Sequence, residues 1–144
     1  MAHNVATMLV CDADLVQGGF YPAEQSQDGT IFRWIGPAPL ATVFLPPLSV
    51  PLEIRLHIHS AFVPEVLGHV RMALDGGAWT PAVLLEQGGT TQLRACPRPG
   101  PMAHLGTLRL DIDTLRTESP RQRGQMDDRA LSLALSVITL RPMA

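Results

Sequence analysis

The sequence has few aromatic residues, a small net charge and no block of like charges. Phe, Trp and Tyr make up 5% of its 144 residues, and Asp, Glu, Lys and Arg together make up 17%. The formal net charge is −2 at pH 7, and the arginines are scattered instead of forming a stripe. Nucleic acid is therefore not an expected partner. The absence of a charged block also argues against a disordered interaction tail.

Long apolar runs and targeting segments are missing as well. No stretch reaches the roughly 18 apolar residues that a membrane-spanning helix needs, so we expect no membrane partner. Residues 1–10 lack the basic start, the apolar run and the small-residue cleavage site of a secretory signal. We therefore expect synthesis in the cytoplasm without a signal peptide.

Signatures of catalysis and of thiol chemistry are also absent. The sequence contains no GxSxG nucleophile motif, no glycine-rich phosphate loop before a helix and no HExxH zinc motif. Cys11 and Cys96 lack the CxxC spacing of a redox site or a zinc knuckle, so we expect both to be small core residues. The protein is accordingly predicted not to be an enzyme and to need no cofactor.

The sequence does contain short segments in which apolar and polar residues alternate. Its 13 prolines and 12 glycines divide it into pieces of about five to ten residues, which suits strands better than helices. Residues 52–59 and 105–112 alternate with a period of two, as expected for strands with one wet face. Residues 130–140 also alternate, although their alanines and leucines would suit a helix. Further strands are predicted at residues 30–35 and 41–45.

Glycine-rich turns predict hairpins in the middle of the chain. Asp75-Gly76-Gly77 and Gln87-Gly88-Gly89 offer residues that tolerate the positive φ of tight turns, which predicts a three-stranded meander over residues 70–96. Pro81 lies inside its middle strand, so an edge position or a bulge is expected there. One helical turn is expected within residues 61–68, and a surface loop over residues 114–129.

These segments together indicate the fold class. About eight short strands separated by turns, without a long amphipathic helix, predict an all-β protein. The expected architecture is an antiparallel two-sheet β-sandwich of the jelly-roll kind, with at most one short helical turn. No internal repeat or linker is visible, so residues 1–144 are predicted to form a single domain.

Two stretches of the sequence resemble a known class of module. The first is GFYPAE at residues 19–24 with DGTIFRWIGP at residues 28–37, and the second is DRALSLAL at residues 128–135 with Ile138 and Leu140. They resemble the opening and the ending of small jelly-roll, carbohydrate-binding-module-like β-sandwich domains associated with bacterial glycosyltransferases and surface-polysaccharide proteins. The sequence departs from that pattern at Ile35, where threonine is usual, and at Ser132, where glycine is usual.

The resemblance implies a jelly-roll, carbohydrate-binding-module-like fold and names no ligand. We expect a non-catalytic glycan-binding or adhesion module that recognises bacterial surface polysaccharide. A module expected to stand alone, without an attached enzyme, also suggests a spike or fibre component of a phage-like particle, assembled in the cytoplasm and released by lysis. The main alternative is a purely structural subunit that forms a homo- or hetero-oligomer. In that case the proline-rich residues 45–51 are expected at an interface.

The candidate sugar contacts are aromatic residues with charged neighbours, namely Tyr21, Glu24, Arg33, Trp34 and Trp79. Sugars stack on exposed aromatic rings, while carboxylates and arginine bond their hydroxyl groups. A structural interpretation stands beside this one: Glu24 and Arg33 form an internal ion pair, Trp34 lies in the core or on a sheet, and Trp79 caps the core. Glycan binding requires at least one exposed indole beside a carboxylate.

Two sets of polar residues each share one face of a strand. Glu53, Arg55, His57 and His59 alternate along one predicted strand, and Thr107, Arg109, Asp111 and Asp113 along another. If these strands are neighbours, their polar faces combine into a concave surface. Such a surface is either a binding cleft or an ordinary solvated sheet face.

His57 and His59 are two residues apart on a strand and can point the same way, as metal ligands do. Glu65, His69 or His104 would have to complete the site. The pair resembles the first motif of the cupin family, but Glu65 comes too late in the sequence and the second motif is incomplete. No metal site is therefore predicted, and cupin-like metal binding through His57 and His59 stands as an alternative function.

Overall fold

The computed structural model describes residues 5–101 and 108–143. Within these ranges the chain forms twelve strands and short 3-10 turns at Pro64–Gly68 and Pro120–Arg123. No described helix is long and apolar enough to cross a membrane. The strands are β1 (Thr7–Val10), β2 (Gln17–Gly18), β3 (Glu24–Gln25), β4 (Ile31–Trp34), β5 (Leu40–Leu45), β6 (Leu52–Ala61), β7 (Arg71–Leu74), β8 (Thr80–Pro81), β9 (Val83–Gln87), β10 (Thr90–Ala95), β11 (Leu108–Asp113) and β12 (Leu133–Pro142).

The strands form two antiparallel sheets that enclose one apolar core. The seven-stranded sheet has the order β3-β4-β12-β6-β10-β9, with β1 also paired to β12. The five-stranded sheet has the order β2-β5-β11-β7-β8. Buried side chains from both sheets meet in a single cluster, which includes Ile54, Leu56, Leu93, Leu133 and Ile138 from the first sheet and Val43, Met72, Leu74, Leu110 and Ile112 from the second. The predicted all-β, two-sheet sandwich is confirmed.

Alternation decides which side of each strand reaches the core. In β6, Leu52, Ile54 and Leu56 are fully buried while the residues between them are half-exposed. Burying each such side chain contributes about 1.5–3 kcal/mol to folding. The same rule buries Leu110 and Ile112 of β11 and directs the acidic and basic residues of that strand outward.

Along the strand β12, the residues that face the core change from the odd-numbered to the even-numbered positions. Leu133 and Leu135 are buried, but so are Ile138 and Leu140, which lie on the other phase of the alternation. The register with β6 shifts between Leu135 and Val137, because a β-bulge inserts one residue there. The alternating segment is a strand, as predicted, and not a helix. Because of the bulge, Val137 does not face the core as Leu135 does.

The predicted three-stranded meander over residues 70–96 is wrong. β7 pairs with β8 in the five-stranded sheet, whereas β9 pairs with β10 in the seven-stranded sheet. The chain crosses from one sheet to the other after Ala82, whose N–H still bonds to Val70 O at 2.9 Å. Pro81 lies in β8 at a sheet edge, as expected for a residue that cannot donate to a neighbouring strand.

Both predicted glycine turns are present, with positive φ at adjacent residues. Asp75 (φ 51°) and Gly76 (φ 75°) form the first turn, in which Gly77 N donates to Leu74 O at 2.9 Å. Gly88 (φ 60°) and Gly89 (φ 81°) connect β9 to β10. Two successive positive φ angles give the turn a twist that matches paired strands.

The two cysteines lie in different environments and are not joined by a disulfide. Cys11 is buried in the core, and burial raises the pKa of its thiol to about 12. Cys96 is exposed, so its prediction as a core residue is wrong. It directly follows Ala95, the last residue of β10, and lies on the opposite phase of the alternation from the buried Leu93 and Ala95.

Cysteine alkylation should therefore proceed in two stages. We expect iodoacetamide at pH 8 to modify Cys96 in the folded protein while Cys11 stays unmodified, because a buried and protonated thiol is a poor nucleophile. Cys11 should react only after unfolding in urea. Mass spectrometry of tryptic peptides measures both. Modification of Cys11 in the native protein would contradict this placement of the thiol.

Candidate functional site

The outer face of the five-stranded sheet collects large apolar, acidic and basic side chains. Alternation directs Leu40, Thr42 and Phe44 of β5 outward, together with Arg109, Asp111 and Asp113 of β11. Register places Asp111 between Thr42 and Ala73, and Asp113 between Leu40 and Arg71. We call this surface the Trp79 face; it consists of Leu40, Thr42, Phe44, Arg71, Trp79, Arg109, Asp111 and Asp113.

Trp79 reaches this face from the segment between the Asp75-Gly76 turn and β8. Its side chain is 38% exposed, a large fraction for an indole. The guanidinium of Arg71 lies 4.8 Å from the indole ring centroid, in a cation–π contact. Arg71 Nε also donates to Asp113 Oδ2 at 2.8 Å. The ion pair therefore holds the arginine that in turn supports the ring.

The turn before Trp79 is held tightly by the backbone. Gly77 N and Gly100 N both donate to Leu74 O at 2.9 Å. A Cβ atom on Gly100 would collide with Gly77 N, so only glycine allows these two segments to approach so closely. The buried Asp75 adds a further tie, because its Oδ1 accepts from Arg109 N at 2.7 Å. The segment that carries the indole is thus attached to the start of β11.

Asp111 is the central carboxylate of the Trp79 face. Thr42 Oγ1 donates to its Oδ1 at 2.7 Å, and Arg109 Nη2 lies 3.1 Å from its Oδ2. A cavity of about 490 Å³ opens beside it, and the residues that line it include Gln17, Thr42, Phe44, Trp79, Arg109 and Asp111. Phe44 is 46% exposed. The cavity thus combines two exposed aromatic side chains with hydrogen-bond donors and acceptors.

The predicted contacts Tyr21, Glu24, Arg33 and Trp34 belong to the other sheet and do not join Trp79. Arg33 is 7% exposed; its Nε donates to Tyr21 O at 2.8 Å and its Nη1 to Asp12 O at 3.0 Å. The predicted ion pair between Glu24 and Arg33 is not formed. Register places Arg33 opposite Leu135, on the inner side of the sheet, where its guanidinium bonds backbone carbonyls instead.

Glu24 pairs with Arg129, a residue that the sequence reasoning had not assigned to it. Arg129 Nη1 lies 2.6 Å from Glu24 Oε2, and its Nη2 lies 2.7 Å from Asp127 Oδ2. These contacts raise the pKa of Arg129 and hold the pKa of Asp127 below its usual value. The Arg129 guanidinium lies 5.4 Å from the Tyr21 ring centroid, and Ala130 N donates to Tyr21 Oη at 3.2 Å. The cluster joins residues 127–130 to β3, through Glu24, and to Tyr21.

Trp34 lies in an aromatic cluster on the outer face of the seven-stranded sheet. It makes edge-to-face contacts with Phe32 and Phe62, with ring centroids 6.4 and 6.5 Å away. Phe32 stacks on the His59 imidazole at 4.2 Å. Ala134 is opposite Trp34 in the strand register. Its two neighbours in sequence face the core, so Ala134 itself points to the outer face, yet it is fully buried. The Trp34 ring is thus packed against two neighbouring aromatic rings.

The polar faces of β6 and β11 do not combine, because these strands belong to different sheets. On β6, Glu53 bonds Arg55 at 2.9 Å and lies 3.6 Å from Arg94 of β10. These polar groups satisfy one another on a half-exposed sheet surface. The carboxylates of β11 and its single arginine, Arg109, instead face the same side as Trp79.

The two candidate histidine ligands have separate partners within the protein. His57 Nε2 bonds with Thr139 Oγ1 at 2.7 Å, and burial together with the nearby Arg55 lowers its pKa. His59 Nδ1 bonds with Ser60 Oγ at 2.8 Å. In the described part of the chain, no group of three His, Cys, Asp or Glu side chains could hold a metal ion. His104, a further candidate, lies outside the described residues.

Five residues of the site were not singled out from the sequence: Gln17, Leu40, Thr42, Phe44 and Arg71. The signal for Thr42 and Phe44 was present, since Ala41, Val43 and Leu45 occupy the alternate, inward positions of the same strand. For Arg71 no local signal exists. Its role depends on Asp113, which is opposite it only because β7 pairs with β11.

The sequence matches no protein-family description and no curated protein. Among solved structures, the fold is similar to a GH26-CBM35 beta-(1,4)-mannanase from Podospora anserina, with a TM-score of 0.53 and 13% sequence identity. The match covers 99% of this chain and 28% of the mannanase chain. The protein therefore has the fold of part of a much longer protein. At this identity the similarity establishes the fold alone.

Proposed function

We propose that the protein is a non-catalytic glycan-binding module that uses the Trp79 face. The observation that carries this proposal is an exposed indole beside a carboxylate, in a cavity of about 490 Å³ that also contains Asp111 and Arg109. An aromatic ring offers a flat apolar surface to the C–H face of a sugar, and charged groups bond its hydroxyls. Phe44 adds a second exposed ring to the same cavity.

The indole is also positioned before any ligand arrives. Arg71 supports the ring, Asp113 holds Arg71, and the Gly77–Gly100 contact fixes the preceding turn. A ligand that stacks on a preorganised ring does not have to immobilise it, which favours affinity. Trp34 is held in place as well, but its edge-to-face contacts with Phe32 and Phe62 cover part of the surface that a sugar would need.

The arrangement of the carboxylates supports binding without hydrolysis. Glycosidases usually place two carboxyl groups on either side of the scissile bond, one of them protonated to act as the acid. On the Trp79 face Asp111 and Asp113 follow each other along one strand, and each contacts an arginine. They are placed to accept hydrogen bonds from one side of a ligand and not to enclose a bond between them.

The fold likeness is consistent with this function. The similar protein carries both a mannanase and a CBM in its name, and this chain spans 28% of it. Sequence resemblance to carbohydrate-binding-module-like domains adds bacterial surface polysaccharide as the proposed partner. A role as a spike or fibre component of a phage-like particle stays a prediction. In that role the protein would use the Trp79 face for attachment.

A second candidate function, a structural subunit of an oligomer, is favoured by an exposed apolar patch. Met8 is 63% exposed and Val16 is 64% exposed, and both line a cavity of about 550 Å³. Val10 and Phe44 line the same cavity and are also exposed. Large exposed apolar patches on soluble proteins commonly mark interfaces.

Titration of purified protein with bacterial capsular and plant polysaccharides tests the first candidate. We expect saturable binding to at least one of them by isothermal calorimetry. The protein concentration should exceed the micromolar dissociation constants that are typical of weak stacking sites. Flat titrations across neutral and acidic polysaccharides would contradict glycan binding. Light scattering on the same samples examines the second candidate: a large, stable assembly together with flat titrations would favour the structural subunit.

A further inference from the structure

We infer that the Trp79 face selects uncharged glycans over acidic ones, an inference that rests on the proposed function. The face carries two arginines and two aspartates, and each arginine contacts one aspartate. Arg71 lies 2.8 Å from Asp113, and Arg109 lies 3.1 Å from Asp111. The formal charges of these four side chains therefore sum to zero, and the buried carboxylate of Asp75, which accepts from the Arg109 backbone N–H at 2.7 Å, adds a further negative charge behind them.

An acidic sugar meets two obstacles on such a surface. Its carboxylate would have to compete with Asp111 or Asp113 for an arginine that is already paired. It would also lie within a few ångströms of the displaced aspartate, and like charges at that distance repel. A face that selects acidic sugars would instead present an arginine or lysine whose charge the protein leaves uncompensated.

An uncharged sugar fits the same four groups without displacing any of them. Each sugar hydroxyl can donate one hydrogen bond and accept another. Asp111 and Arg109 place an acceptor and a donor side by side, and so do Asp113 and Arg71. Asp111 and Asp113 are two residues apart on β11, so the two pairs repeat along the strand at about 6.8 Å. Neighbouring hydroxyls of a chain can bond to both pairs while the ring stacks on Trp79.

Pairs of polysaccharides that share a backbone and differ in the charge of their substituents test this selectivity. The probes are hydroxyethylcellulose with carboxymethylcellulose, polygalacturonate methyl ester with polygalacturonate, and galactomannan with its derivative oxidised at the primary hydroxyl. We expect the charged member of each bound pair to bind at least about fivefold more weakly at low salt. Equal or tighter binding of the charged members would overturn the inference while glycan binding itself stands. Binding to none of the six probes, together with flat titrations of the bacterial capsular polysaccharides, would count against the proposed function.

A single substitution should weaken the preference. Asp111→Asn removes the carboxylate that lies 3.1 Å from Arg109 Nη2, so the ratio of charged to neutral affinity should rise by about fivefold or more. Asp113→Asn acts in the same way through Arg71 and provides a second variant if the first does not fold. Asp128→Asn is the matched control, because it removes the same charge from an exposed pair with Arg121 in the segment that precedes β12. A similar rise in this control would attribute the effect to overall charge and overturn the inference.

Discussion

Trp79→Ala lowers the affinity for a bound polysaccharide by at least about tenfold, the effect expected for truncating an aromatic residue at the centre of a binding site. The substitution removes the ring on which the sugar would stack. It also leaves Arg71 without its cation–π partner, although the ion pair with Asp113 is retained. Because Trp79 is 38% exposed, its loss should change the stability of the fold far less than it changes binding.

Trp34→Ala is the matched control for this result, since it truncates the same type of side chain on the opposite sheet. Trp34 packs against Phe32 and Phe62 and lies away from the cavity of the Trp79 face. Its removal should lower the melting temperature and leave the affinity unchanged when titrations are run well below that temperature. If Trp34→Ala abolishes binding and Trp79→Ala does not, the glycan site lies on the seven-stranded sheet.

Arg33→Met lowers the free energy of unfolding by about 2–4 kcal/mol, because it removes charged donors from buried backbone carbonyls. Methionine fills a similar length of space but cannot donate to Tyr21 O or Asp12 O, which Arg33 bonds at 2.8 and 3.0 Å. Urea denaturation followed by circular dichroism measures the change. Arg33→Lys should recover part of the loss, since its ammonium group can still donate to one carbonyl.

Arg141→Met provides the comparison for an exposed arginine. Arg141 lies at the exposed end of β12, so its replacement should change stability by no more than about 0.5 kcal/mol. The Arg33 variant should retain full polysaccharide affinity while folded. A variant that keeps its stability and loses affinity would mean that Arg33 contacts the ligand after all.

Much of the fold followed from local patterns in the sequence. Alternation in residues 52–59 identified β6, and the glycines of residues 75–77 and 87–89 located two turns. Pro81 was expected at an edge because it lacks an N–H, and it lies in the edge strand β8. Each of these features depends on a few neighbouring residues, which is why the sequence alone was sufficient.

Features that depend on strand pairing could be predicted less well from the sequence. Residues 70–96 read as one continuous meander, yet β8 and β9 belong to different sheets. Glu24 and Arg33 are close in sequence and on adjacent strands, but Arg33 faces inward, and Glu24 contacts Arg129, which is far along the chain. Cys96 could be placed only once Leu93 and Ala95 were known to be the inward-facing residues of β10.

The sequence by itself determined that this protein is a sandwich of short strands, and which side chains of the regularly alternating strands β6 and β11 face outward. It could not determine which outward faces lie side by side, because pairing between distant strands depends on how the whole core closes. Asp113 was therefore visible in the sequence, but its pairing with Arg71 was not, nor was the position of Trp79 beside them. Tertiary structure alone separated Trp79 from Trp34 and brought it to the carboxylates of β11.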